Sequence, residues 1–172
     1  FSLGDVYRGD RVEEMEFHFP IRQGVITQLA GELPDSSFLG RYLRGLAGDK
    51  VLQIESQGYL KGLIDLIFRF DDKYFLLDWK SNRLNGRADG FGALGLESEM
   101  LDHHYVLQYH LYLVALVRFL RGRIKDFDYN THFGGVYYLF LRGMGEETDQ
   151  GIFFDFPEQS VIEKLENFLC QR

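Results

Sequence analysis

The sequence predicts a mixed α/β fold around a central sheet, and three observations lead there. Segments of period two, such as Met15, Phe17 and Phe19 against Glu14, Glu16 and His18, alternate with segments of helical period, such as Phe38, Leu39, Tyr42, Leu43 and Leu46. Polar or Gly-containing stretches separate them. A length of 172 residues suits one domain, and 45% hydrophobic with 16% aromatic residues suffices for a core.

Residues 11–21 read as a strand that Pro20 ends or marks as an edge. A short helix over 36–47 follows, with Ser36 and Ser37 as caps and Gly48 as the stop. Two strands, roughly 51–70 and 73–81, meet at Phe70-Asp71-Asp72-Lys73. The stretch 82–101 is rich in Gly and Asn, has no clear period and reads as a loop, a candidate for mobility. Residues 103–121 form the longest helix, apolar on most sides and hence buried, with Gly122 closing it. Residues 134–141 read as a buried strand, Arg142–Gln150 as a polar loop and Gly151–Phe156 as a further strand. Pro157 opens a terminal helix with Val161, Ile162, Leu165, Phe168 and Leu169 on one face. The predicted order is strand, helix, strand, strand, helix, strand, strand, helix.

Composition removes several classes. No apolar run reaches the ~18 residues that span a bilayer, and the longest candidate, Leu111–Leu120, carries Arg118. No membrane role is expected. The chain starts at Phe1 without a basic segment leading into an apolar one, so no signal peptide is expected, and the start reads as that of an excised piece. Cys170 is the only cysteine, which excludes an internal disulfide, a cysteine zinc cluster or a cysteine-held iron–sulfur centre. The expected compartment is the reducing cytoplasm. A net charge of −7 argues against a free-standing nucleic-acid binder, so phosphate contacts to any such substrate are expected mostly from other domains or subunits. No Gly-x-x-x-x-Gly-Lys-Ser/Thr phosphate loop is present to hydrolyse ATP.

The residues that announce chemistry are Asp65 and the run Asp78-Trp79-Lys80. A tight turn at Asp71-Asp72 sets Phe70 against Lys73 and, further along, Asp65 against Asp78, and cross-strand partners share a sheet face. Lys80, two residues beyond Asp78, shares it too. Phe75, Leu77 and Trp79 are expected to fill the opposite face, with Ile64, Leu66 and Phe68 on the neighbouring strand. Two adjacent carboxylates repel unless a cation lies between them. Mg²⁺ prefers oxygen ligands and keeps several waters, which suits two carboxylates beside a phosphodiester. Such an ion acidifies water and stabilises charge on the phosphate, while Lys80 would orient the water or stabilise the transition state. Taken alone, the same three residues also fit a surface Asp–Lys ion pair beside a turn. Gln108 and Tyr112, spaced i and i+4, share a helical face and fit either a site-lining pair or a buried amide and phenol satisfied in the core. Glu16 is a weaker accessory acid, because an exposed strand face explains it equally well.

Four stretches, Gly58-Tyr-Leu-Lys-Gly-Leu-Ile-Asp65, Tyr74-Phe-Leu-Leu-Asp-Trp-Lys-Ser-Asn82, Leu107-Gln-Tyr-His-Leu-Tyr112 and His132-Phe-Gly-Gly-Val-Tyr-Tyr-Leu-Phe-Leu-Arg-Gly143, resemble the RecB-type nuclease domain of bacterial exodeoxyribonuclease V. That domain belongs to the PD-(D/E)XK nuclease superfamily. The resemblance implies a restriction-endonuclease-like mixed sheet flanked by helices, in a single nuclease domain of a helicase–nuclease. It implies that Asp65 and Asp78 ligate Mg²⁺ (with Mn²⁺ or Ca²⁺ as substitutes), that the Trp79 carbonyl completes the metal shell, that Lys80 is catalytic, and that Gln108 and Tyr112 line the site. It further implies hydrolysis of DNA by metal-activated water during double-strand-break processing and recombinational repair. The implied partners are RecC-like and RecD-like subunits, the helicase part of the parent chain and the RecA recombinase. A platform for recombinase loading, using the acidic surface and the terminal helix, is the alternative role. One departure stands out: the family places a metal-binding His on a helix before the first strand. None of His18, His103, His104, His110 and His132 matches that position, so a third protein ligand is expected outside this chain.

Overall fold

The structure, a computed structural model, describes residues 3–21, 25–46, 58–84, 90–145 and 150–170. Along them run β1 (Arg11–Ile21), α1 (Val25–Glu32), α2 (Phe38–Leu46), β2 (Gly58–Phe70), β3 (Lys73–Lys80), α3 (Ala93–Asp102), α4 (Tyr105–Arg121), α5 (Tyr129–His132), β4 (Phe133–Phe140), β5 (Ile152–Asp155) and α6 (Gln159–Cys170). The five strands form one sheet in the order β1-β2-β3-β4-β5. Pairing is antiparallel for β2–β3, parallel for β3–β4 and antiparallel for β4–β5. The fold is therefore α/β with a mixed sheet, consistent with a restriction-endonuclease-like architecture. Among the described residues no helix is long and apolar enough to cross a membrane.

The chain divides into two compact units. The first comprises Phe1–Met15, Leu63–Tyr105 and Asp128–Phe156. On one face of its sheet, Leu66, Phe68, Leu77 and Leu139 cluster with Val6 from the N-terminal segment, and Phe75 and Tyr137 pack against them. On the other face Ile67, Leu76, Val136, Tyr138 and Phe140 are buried as well. Both faces are thus apolar, as expected of strands in the middle of a sheet. The expectation that one face carries charge and the other the core needs correction: Asp78 lies on a face as buried as its opposite.

The second unit comprises Glu16–Gly62, Val106–Phe127 and Pro157–Arg172. The long helix α4 buries Val106, Tyr109, His110, Leu113, Val114, Leu116, Val117 and Leu120. Side chains tie its C-terminal end to α6 and tie α6 to α1. Arg118 and Arg121 pair with Glu166 of α6 at 3.8 and 2.5 Å, and Lys164 of α6 donates to Glu32 O at the end of α1. Arg44 donates to Ala30 O, Leu33 O and Pro34 O, satisfying carbonyls that the end of α1 leaves without helical partners. Val161, Ile162, Leu165 and Leu169 of α6 are buried, as its sequence periodicity requires.

Three helices were absent from the sequence-based expectation. α1 opens on Val25-Ile26-Thr27, β-branched residues of low helix propensity. α5 is a single turn whose Asp128 accepts the Thr131 N–H at its N-terminus. α3 replaces the second part, from Ala93 onward, of the loop expected over 82–101, of which residues 85–89 lie outside those described. Its buried positions are Gly95, Leu96, Glu99 and Met100, and a glycine and a glutamate in that stripe hide its period. Helix α2 begins after Ser37, whose hydroxyl accepts the Gly40 N–H at 3.0 Å. The stop expected at Gly48 falls outside the described residues.

The pair Gly134-Gly135 sets the level of β4 against β3. Tyr74 pairs with Phe133 but Phe75 with Gly135, so Gly134 is one residue extra. A Cβ on Gly134 would stand 2.2 Å from the Phe75 ring, and Gly135 has φ +133. This bulge levels Tyr138 with Asp78 and Phe140 with Lys80. Gly134→Ala is expected to destabilise the protein by ~1–3 kcal/mol through overpacking, read as a lower urea midpoint with unchanged m-value. An unchanged midpoint contradicts the bulge as the cause of this register.

Candidate active site

The hairpin between β2 and β3 positions the site. Asp71 and Asp72 have φ of 50 and 58, the pair of positive values that a two-residue type I′ turn requires. The turn holds Phe70 against Lys73, and the ladder continues to Leu66 against Leu77. This is the register expected from sequence, yet the ladder stops one pair short of Asp65 and Asp78. There Asp65 uses its side chain instead: Oδ2 accepts the Trp79 N–H at 3.0 Å. Trp79 departs from expectation, since its ring does not fill a core face and is 40% exposed. The end of the ladder leaves it at a groove of about 780 Å³, lined also by Leu3, Gly4, Arg11, Glu13, Glu14, Asp65 and Leu66.

Asp78 is only 2% exposed. Lys80 Nζ stands 2.5 Å from its Oδ1, and no other donor reaches that oxygen among the described residues. Burial pushes the Asp78 carboxyl up to about 6; Lys80 pulls it down through its hydrogen bond and charge, and nearby Asp65 pushes it up further. The Lys80 side chain is itself mostly buried, at 12% exposure. Its ammonium lies 4.1 Å from the centre of the Tyr105 ring and 5.0 Å from that of Tyr138. A desolvated ammonium over an aromatic face gains about 2 kcal/mol.

The structure therefore brings Asp65, Asp78, Trp79 and Lys80 together at one end of the β2–β3 hairpin. Two carboxylates, one buried and one at a groove, are hard oxygen donors of the kind that could hold Mg²⁺, Mn²⁺ or Ca²⁺. Among the described residues no three His, Cys, Asp or Glu side chains converge on a common metal position. Gln108 and Tyr112 lie in the other unit, on α4, where Gln108 Nε2 donates to Tyr112 Oη at 2.9 Å. Tyr112 is buried with its ring edge-on to Phe17. Glu16 pairs with Lys61 at 2.9 Å and His18 at 3.2 Å, and the Lys61 hydrogen bond holds its carboxyl below the usual range.

The histidines make local contacts. His103 meets Glu99, buried His110 donates through Nδ1 to Val106 O, and His132 bonds the Asp128 backbone. Sequence reasoning missed Tyr105 and Tyr138, which face Lys80, and Asn82 and Glu99, which hold Tyr105. Asn82 follows Lys80 by two, and Tyr105 precedes Gln108 by three residues, about one helical turn, but only the tertiary structure brings Asn82 and Tyr105 together.

The raised Asp78 value fixes a sign. Between the unfolded value of 3.8 and the folded value of about 6 the native state holds a proton that the unfolded chain has released. Stability is then fully present below pH 4 and falls as pH rises through about 6, by at most ~3 kcal/mol for this buried group. Urea titrations of metal-free protein between pH 4 and 7 should show this fall, and Asp78→Asn should flatten it. An equal slope in both proteins contradicts the burial of an ionisable Asp78.

Comparison with known proteins follows the same stretch of chain. No family model matches it. The RecBCD enzyme subunit RecB of Escherichia coli K12 is 40% identical over 171 residues, which is 98% of this chain and 14% of the relative. The RecB subunit of Haemophilus influenzae is 36% identical over 96% of the chain and 13% of its own length. That of Mycobacterium tuberculosis H37Rv is 36% identical over 93% of the chain and 16% of its own. The chain spans about one seventh of these curated relatives. Along nearly its whole length, this chain is homologous to one segment of the RecB subunit of RecBCD enzymes.

Proposed function

We propose that the chain is the metal-dependent nuclease domain of a RecB-like helicase–nuclease, acting on DNA during double-strand-break processing and recombinational repair. The observation that carries this reading is the buried Asp78–Lys80 pair beside Asp65 on the β2–β3 hairpin. An ionisable pair with so little exposure, beside an acid that lines a groove, is a functional-site signature rather than a surface decoration. The similarity to RecB subunits supports it from a separate direction.

In this reading Asp65 and Asp78 hold a divalent cation, with the Trp79 carbonyl as a further donor. The chemistry such an ion supplies when bound is acidification of water and neutralisation of phosphate charge. The chain's own groups do the rest. The Trp79 N–H fixes the Asp65 carboxylate through Oδ2. Burial keeps water from solvating Asp78, which strengthens its interaction with any cation. Lys80 places a fixed positive charge beside Asp78, where it can orient a water or stabilise charge developing on the phosphate. Gln108 and Tyr112 are assigned a supporting role on α4. The reaction leaves no covalent intermediate on the protein. RecC-like and RecD-like subunits, the helicase motor and the RecA recombinase are the proposed partners.

In the full-length protein, Mg²⁺-dependent degradation of linear single-stranded DNA is expected. Asp65→Ala, Asp78→Ala and Lys80→Gln should each reduce the rate by roughly 10²–10³-fold, with circular dichroism unchanged. Equal degradation by the wild type and Asp78→Ala overturns the assignment.

A further inference from the structure

Lys80 is held by more than its carboxylate. Its ammonium faces the rings of Tyr105 and Tyr138, 4.1 and 5.0 Å from their centres. The two rings lie 5.7 Å apart, tilted by 40°, so they form two walls of a cage rather than a parallel stack. Tyr138 is fixed by position: it is fully buried on β4 and level with Asp78 across the parallel ladder. Tyr105 opens α4 directly after His104, whose φ of 60 makes the sharp turn out of α3. A residue at such a junction needs another restraint, and the structure supplies one. The Tyr105 hydroxyl meets Asn82 Nδ2 at 3.1 Å and Oδ1 at 3.3 Å. Asn82 Nδ2 also donates to Glu99 Oε1 at 2.7 Å. Glu99 is 3% exposed, and its Oε1 lies 3.1 Å from His103 Nε2. A chain of contacts thus runs from a buried acid on α3, through Asn82, to the ring that faces Lys80.

We infer that Tyr105, anchored by Asn82 and Glu99, and Tyr138 are positioning residues: they form an aromatic cage that aims the Lys80 ammonium at Asp78. A lysine has four rotatable bonds, and a cation this poorly solvated needs partners on several sides. Asp78 supplies the negative one. The ring faces restrict the remaining directions without neutralising the charge, so the ammonium stays a donor available to the reaction. Asn82, two residues after Lys80, couples the end of the same strand to α3, so the cage and the lysine are set by one short segment. This inference rests on the nuclease reading for its catalytic consequence, and on geometry alone for the cage.

The test separates the two. In the full-length protein, Tyr105→Leu removes the ring, Tyr105→Phe keeps the ring and loses the hydroxyl, and Asn82→Ala removes the anchor. One readout is the rate of Lys80 acetylation by acetic anhydride, followed by mass spectrometry in metal-free protein. The other is kcat and KM for linear single-stranded DNA with Mg²⁺. Tyr105→Leu should acetylate Lys80 at least about five-fold faster and lower kcat roughly ten- to hundred-fold with KM nearly unchanged. Tyr105→Phe and Asn82→Ala, which both keep the ring and break its hydroxyl anchor, should fall between the wild type and Tyr105→Leu in both readouts. Equal acetylation in all four proteins overturns the cage. Faster acetylation with unchanged kcat overturns its positioning role. An inactive wild type removes the nuclease reading and the catalytic role together, while acetylation still decides the cage.

Discussion

Everything at the candidate site depends on the burial of Asp78 beside Lys80. Taking two charges from water is expensive, and in the interior their attraction rarely repays the loss in full. A hydrophobic pair of similar volume would stabilise this sheet at least as well. The surroundings instead accommodate the charges. The oxygen nearest the ammonium has no other donor among the described residues, and the ammonium rests on aromatic faces. The carboxyl is left with a raised proton affinity. In the proposed reading, this carboxyl gives up its proton when a divalent cation binds.

The geometry around the pair follows from two local irregularities. The type I′ turn at Asp71-Asp72 fixes the antiparallel register on one side of β3. The glycine bulge at Gly134-Gly135 fixes the parallel register on the other. Between them β3 carries Asp78 and Lys80 to a point where the β2–β3 ladder has ended and Asp65 supplies a side-chain acceptor in place of a main-chain one. The second unit holds Gln108 and Tyr112 on α4, bonded to each other.

Much of this was legible in the sequence, and the limits have physical causes. A two-residue turn at Asp71-Asp72 sets Phe70 against Lys73 and carries the pairing on toward Asp65 and Asp78, so these two were legible as neighbours. The stripes of α2, α4 and α6 were legible because most of their buried positions are apolar. Helix α3 was not, because Gly95 and Glu99 occupy buried positions and break its pattern. The exposure of Trp79 depends on where a ladder stops, which strand periodicity does not encode. The Tyr105–Lys80 contact joins residues on α4 and β3, and no local spacing signals it.

The central claim is that Asp65 and Asp78 form a divalent-metal site. Anomalous diffraction from crystals soaked in Mn²⁺ tests it most directly. A single strong peak within coordination distance of both carboxylates, about 2.0–2.3 Å, is the predicted result. A peak at another position, with Asp65 and Asp78 free of metal at saturating Mn²⁺, would contradict it.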